Sequence, residues 1–155
     1  MQVGIDIGCS KLAVLSNGQE IPNLDLKKET KNIIRYQKNM SHHKPGSIRY
    51  RKAQELYNKA WQKLLNKRKD YYNKIASYIV KNTSFIAVQN ENIISWIKNK
   101  HQSHSIQLNA PRQLLEKIKQ KSQQEDIEFV KISKFFPSTQ ICHKCQKKKR
   151  KHQRT

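Results

Sequence analysis

An α/β fold, with a mixed sheet and helices packed against it, follows from three features of the sequence. The first 21 residues hold short apolar runs separated by Gly, Ser and Asn. From Asp25 to Val80 the apolar residues recur at three- and four-residue steps instead. After that, strand-like and helix-like stretches alternate. A meander followed by alternating units is the pattern of a mixed sheet with helices against it.

The elements follow in order. "MQVGIDIG" and "KLAVLSNG" are apolar for four to six residues and bounded by turn residues, so they read as two strands joined at Gly8-Cys9-Ser10. "SNGQEI" continues into a short third strand, with Asn17-Gly18 as a strong hairpin signal. "LKKETKNIIRYQKNM" is helical in composition, with Ile33, Ile34 and Met40 on one side, and Pro45-Gly46 breaks it. Ala53, Leu56, Tyr57, Ala60, Leu64, Tyr71, Ile75 and Ile79 then mark a long amphipathic helix. Together the two make an αα-hairpin. "SFIAVQ" is a buried-strand pattern, and "NENIISWIKNK" reads as a loop or short helix. "APRQLLEKIKQKSQQED" starts a helix near Pro111, "IEFVKIS" is the last strand, and a CxxC loop with a basic tail follows. There is no internal repeat.

Charge dominates the composition. Lys and Arg number 32, Asp and Glu 11, for a net +21 over 155 residues. A surface this positive seeks a polyanion, and nucleic acid is the first candidate. An anionic membrane is the competing one; no 18-residue apolar run or signal-like segment supports it, and no membrane association is expected. A solvated lysine-rich surface inherited from an AT-rich genome is a further competing reading, and it would explain only part of the excess. On the long helix, Arg49, Arg51, Lys52, Lys59, Lys63, Lys67, Arg68 and Lys69 mostly lack acidic i,i+4 partners, which points to a phosphate-binding face rather than a merely solvated one. Lys147, Lys148, Lys149 and Arg150 of the tail extend the set. Three cysteines make no disulfide framework, so a reducing, cytoplasmic location is expected. His42, His43, His101 and His104 stand in polar stretches and read as solvated loop residues. Trp61 and Trp96 could stack on bases, but Trp61, on a helix that must bury one face, reads as packing.

Asp6 is the acidic residue that stands out. Buried alone in a strand it would be costly. It either caps a turn at the strand end or holds a metal, since phosphoryl-transfer nucleases grip Mg²⁺ between carboxylates from separate elements.

Several short motifs in order resemble the TnpB/OrfB family of transposon-encoded proteins. The family pattern "GIDxG" stands here around Asp6, and "LAxxSdG" as Leu12-Ala13 with Ser16-Asn17-Gly18. The end of the helical hairpin, "nxRkdf", stands as Asn66-Lys67-Arg68-Lys69-Asp70-Tyr71. The "fxpSsxxCxxCG" pattern stands as Phe136-Pro137-Ser138-Thr139-Gln140-Ile141-Cys142-His143-Lys144-Cys145. The resemblance runs from Val3 to Cys145. It implies a RuvC-like, RNase H-like domain over 1–135 with a helical hairpin inserted at about 26–81, then a partial zinc-ribbon segment over 136–155. It also implies a Mg²⁺-dependent DNA endonuclease acting with a guide RNA, with DNA and RNA as partners and Asp6 as a Mg²⁺ ligand.

The departures matter as much. The family's second carboxylate, the Glu of "xiEdLn", falls on Gln89, with Asn90 in place of the following Asp. Glu91 is a poor substitute, because residues two apart on a strand lie roughly 6.5–7 Å apart. Cys142 and Cys145, even with His152, fall short of the four ligands of a structural zinc, so Zn²⁺ binding would be incomplete. The sequence reaches Thr155 without the second CxxC or the family's third catalytic Asp, and it begins at the first nuclease strand. A shortened and impaired member is therefore expected. Three functions compete: a guided endonuclease, a nuclease-dead nucleic-acid-binding module, and a decayed fragment with no function of its own.

Overall fold

In the computed structural model of the chain, residues 1–89, 98, 100–133 and 141 are described. The elements run β1 (Gln2–Ile7), β2 (Ala13–Leu15), β3 (Glu20–Ile21), α1 (Lys27–Ser41), α2 (Ile48–Lys81), β4 (Phe85–Gln89), α3 (Lys100–Asn109), α4 (Pro111–Gln124) and β5 (Glu128–Ile132). The strands form one mixed sheet in the order β3-β2-β1-β4-β5. β1, β2 and β3 pair antiparallel, as the turn signals predict, whereas β1, β4 and β5 run parallel. Parallel neighbours need a long crossover, and α1 with α2 forms the one between β1–β3 and β4.

Alternation decides which side chains enter the core. Val3, Ile5 and Ile7 of β1 and Ile86 and Val88 of β4 point to one face and are buried. Tyr72, Ala76, Ile79 and Val80 of α2 and Leu114 and Ile118 of α4 cover that face. A second, smaller cluster sits farther up α2, where Leu26 and Ile33 meet Leu64, with Tyr57 and Trp61 alongside. Trp61 makes an edge contact with the Tyr57 ring, 6.4 Å between centroids, so it packs as expected. α2 thus joins two cores: its C-terminal half lies under the sheet and its N-terminal half pairs with α1. Thirty-four residues make it roughly 50 Å long. Lys67 meets Glu29, while Leu56 and Lys59 flank the same cleft as Asn32 and Tyr36, so the two helices run antiparallel.

Local chemistry fixes the joints. Gly18 closes the β2–β3 turn with φ +85°, and Gly46 has the same φ before α2. Ser47 caps α2, its hydroxyl accepting from the Tyr50 N–H at 3.1 Å. Among the described residues no helix is long and apolar enough to cross a membrane.

One element departs from the sequence reading. Lys100–Asn109 is a helix, so His101 and His104 sit in α3 rather than in a loop. "KHQSHSIQLN" has no apolar stripe to announce it, and its support comes from α2, as shown next.

Candidate carboxylate site and nucleic-acid interface

Asp6 lies on β1 between Ile5 and Ile7, which point into the core, so its own side chain points to the opposite face and is exposed. The burial cost that the sequence suggested does not arise. The β1–β4 register pairs Ile5 with Val88, which sets Asp6 beside Gln89 one step along the two parallel strands. Gln89 is half-buried and ends β4. Asp6 and Gln89 share the face away from the core, since Ile86 and Val88 take the other one. Adjacent strands are about 4.8 Å apart, so the two side chains are neighbours at the C-terminal ends of parallel strands. In open α/β sheets that edge is where ligands gather.

The turn after β1 is held by Asn23, whose Nδ2 donates to the carbonyls of Cys9 at 2.8 Å and Ser10 at 3.1 Å. Gly8 leaves little room for a side chain: a Cβ there would lie 3.1 Å from the Lys11 carbonyl oxygen, so the turn would have to give by a few tenths of an ångström. Sequence reasoning did not single out Glu20. It pairs with Val14, which pairs with Asp6, so it lies on the same face two strands away, roughly 10 Å off. It is engaged in an ion pair with Lys11. Among the described residues no group of three His, Cys, Asp or Glu could hold a metal ion. Glu91, Cys142, Cys145, Lys147, Lys148, Lys149 and Arg150 lie outside the described residues.

The basic set on α2 divides. Arg49, Arg51, Lys52, Lys59, Lys63 and Lys69 are exposed. Arg68 is not part of that face. It is buried, and its Nη1 donates to the carbonyls of Leu108 at 2.8 Å and Gln107 at 3.4 Å, at the C-terminal end of α3. The last carbonyls of a helix have no partners within it, and a guanidinium supplies them. Tyr72, one turn further along α2, donates from its hydroxyl to the Asn109 carbonyl. Burial pushes that hydroxyl's pKa up, with nearby Arg68 pulling it down, so it stays protonated as a donor. The family motif "nxRkdf" thus supplies a structural arginine where charge alone suggested a phosphate ligand.

Lys67 is also committed. Its Nζ donates to Glu29 Oε1 at 3.1 Å and to the Asp25 carbonyl at 2.9 Å. Burial pushes the Glu29 carboxyl up, but its own backbone N–H, Lys67 and Lys63 pull it down further, and the net pKa lies below the ordinary carboxylate range. Glu29 is therefore a buried anion at neutral pH, wedged between two cationic helices.

These features define an α/β protein with a carboxylate at the end of its central parallel strand and a long cationic helix beside the sheet. The chain belongs to the OrfB_IS605 family, described as a probable transposase, which matches residues 1–99. Residues 112–155 match a Cas12f1-like TNB domain. A protein of Streptomyces pristinaespiralis, named "Putative RNA-guided DNA endonuclease", is 24% identical over 144 residues, covering 92% of this chain and 36% of its own. A cryo-EM structure of a Cas12f1–sgRNA–target DNA complex shares the fold, with a TM-score of 0.58 at 19% identity, over 94% of this chain and 39% of that one. The chain thus spans little more than a third of either protein's length.

Proposed function

We propose that this chain is a nuclease-fold, nucleic-acid-binding portion of an RNA-guided DNA endonuclease of transposon origin, in which strand binding is kept and cleavage is lost or severely impaired. The observation that carries this reading is the Asp6–Gln89 pair at the ends of two parallel strands. The family match and the relative's name support DNA and guide RNA as the partners. The five-stranded mixed sheet supports the RuvC-like, RNase H-like form of the fold, with α1 and α2 as its inserted helical hairpin.

A Mg²⁺ centre of the kind the resemblance implies does not fit the described residues. Two-metal cleavage depends on several carboxylates gathering two cations about 3.5–4 Å apart. Asp6 brings one negative charge, Gln89 brings a neutral amide, and Glu20 is two strands away and paired with Lys11. No cleavage step is assigned to this site. What the chain offers instead is cationic surface. Its exposed lysines and arginines on α2 would bind phosphates, and each phosphate neutralised releases counterions.

The test uses the purified full chain with labelled single-stranded DNA and RNA, with and without Mg²⁺. Binding should weaken roughly 10³-fold or more between 50 and 200 mM salt. No cleavage product should form, and Asp6→Ala should leave binding unchanged. Mg²⁺-dependent nicking that disappears in Asp6→Ala would overturn the loss of cleavage. Absent or salt-insensitive binding would overturn the reading as a whole.

A further inference from the structure

We propose that a pocket between the C-terminal end of α2 and the β2–β3 turn holds one unpaired base of a single strand, stacked on the Tyr78 ring with its edge on the amides of Asn17, Gln19 and Asn82. This rests on the nucleic-acid binding proposed above and adds where, and by what chemistry, a base is held. The pocket opens beside Val3 and Leu15, on the helix-covered face of the sheet, whereas Asp6 lies on the other face.

The ring comes first. Tyr78 is 51% exposed, the most exposed aromatic side chain among the described residues. The other described aromatic rings are buried or half-buried. Nor does this ring swing freely. Its hydroxyl donates to Gln19 Oε1 at 3.2 Å, which holds it across the gap between α2 and the turn. A ring fixed in place before binding loses little freedom when a base lands on it. Stacking accepts any base, because each has a π-face.

Size agrees. The pocket has a volume of about 220 Å³. Roughly 150 Å³ suffices for benzene, so one heterocyclic base fits. A base pair, comparable to a drug-sized ligand that needs roughly 300 Å³ or more, does not.

The rim is built for a base edge. Each of its three amides is anchored at one end. Asn17 Oδ1 accepts from the Gln19 N–H at 3.0 Å, Gln19 Oε1 accepts from Tyr78, and Asn82 Nδ2 donates to the Tyr78 carbonyl at 2.6 Å. The NH2 groups of Asn17 and Gln19 and the amide oxygen of Asn82 have no protein partner among the described residues. They offer donors and an acceptor together, and base edges carry both kinds of group. All three residues are exposed, so a bound base reaches them.

Charge completes the site. Lys74, Tyr78 and Lys81 follow at steps of four and three, on one side of α2. Lys81 is exposed and makes no ion pair among the described residues. Lys74 pairs with Asp70 in a solvent-exposed i,i+4 contact of the kind that contributes little. Both lysines are available to the phosphates flanking a stacked base. An aromatic ring between cations is the composition on which single strands bind.

Fluorescence anisotropy of the full chain at low salt tests this with labelled oligo(dT) and with the same strand made abasic throughout. The abasic strand keeps every phosphate and lacks the bases, so the comparison isolates stacking. Tyr78→Ala should weaken oligo(dT) binding at least about fivefold, the low end of what one base–aromatic stack gives. It should leave binding of the abasic strand unchanged. Tyr78→Phe keeps the ring and should keep most of the affinity. Should Tyr78→Ala fail to fold, Tyr78→Leu decides, because it preserves bulk without a π-face. Wild-type affinity of the Ala or Leu variant for oligo(dT) overturns the proposal. So does an equal loss on the abasic strand, or a loss in Tyr78→Phe as large as that in Tyr78→Ala. Each of these results defeats this proposal alone, while no binding of either strand at low salt defeats the broader function too.

Discussion

At the scale of single residues, neighbouring cations on one helix have opposite jobs. Lys69 is exposed, whereas Arg68 is buried against the carbonyl end of α3. Formal charge cannot tell these apart; position on the helix can, because Leu64, Arg68 and Tyr72 follow one another at i,i+4 on the buried stripe. Arg68→Ala should cost about 1.5–3 kcal/mol, the range for hydrogen bonds to charged groups. Lys69→Ala should stay within about 0.5 kcal/mol, as surface changes do. Urea midpoints of the two variants measure the difference, and equal midpoints would remove Arg68 from the scaffold. Asp6 is the converse case. Its isolation among apolar letters suggested burial, and strand alternation puts it on the open face instead. Its neighbour across the sheet was beyond any local pattern, since Gln89 is 83 residues away in sequence and only the β1–β4 register joins them.

At the scale of elements, legibility followed periodicity. β1, β2 and β3 were readable from short apolar runs and their Gly, Ser and Asn boundaries. α2 was readable from its three- and four-residue repeat, and its start from a serine just after Pro45-Gly46. Ser47→Ala should therefore cost about 1 kcal/mol through the lost cap, seen as a lower melting temperature and faster amide exchange in the first turn of α2. An unchanged first turn would mean that α1 packing alone holds it. α3 was not readable. Its ten residues carry Ile106 and Leu108 as their aliphatic side chains, and much of its support is tertiary, from Arg68 and Tyr72 of α2. Helices held from outside leave little trace in their own sequence.

At the scale of the whole molecule, charge sets two opposing responses. With a net +21 and four ion pairs among the described residues, repulsion within the chain is largely uncompensated. Raising NaCl from about 20 to 300 mM shortens the Debye length from roughly 20 Å to about 6 Å. The free protein should melt at a higher temperature over that range while its affinity for nucleic acid falls. A melting temperature that drops in parallel with affinity would mean that repulsion does not limit stability.

The central place of β1 has a temporal consequence. β1 is synthesised before its parallel neighbour β4, which follows the two helices, roughly sixty residues after β3. At about 5–20 residues per second, the amino-terminal strands wait several seconds for the partner that completes their ladder. Meanwhile α1 and α2, whose contacts are closer in sequence, are free to associate. Between these elements the order of synthesis and the order of consolidation are thus reversed: the strand bearing Asp6 is made before the two helices and locked after them.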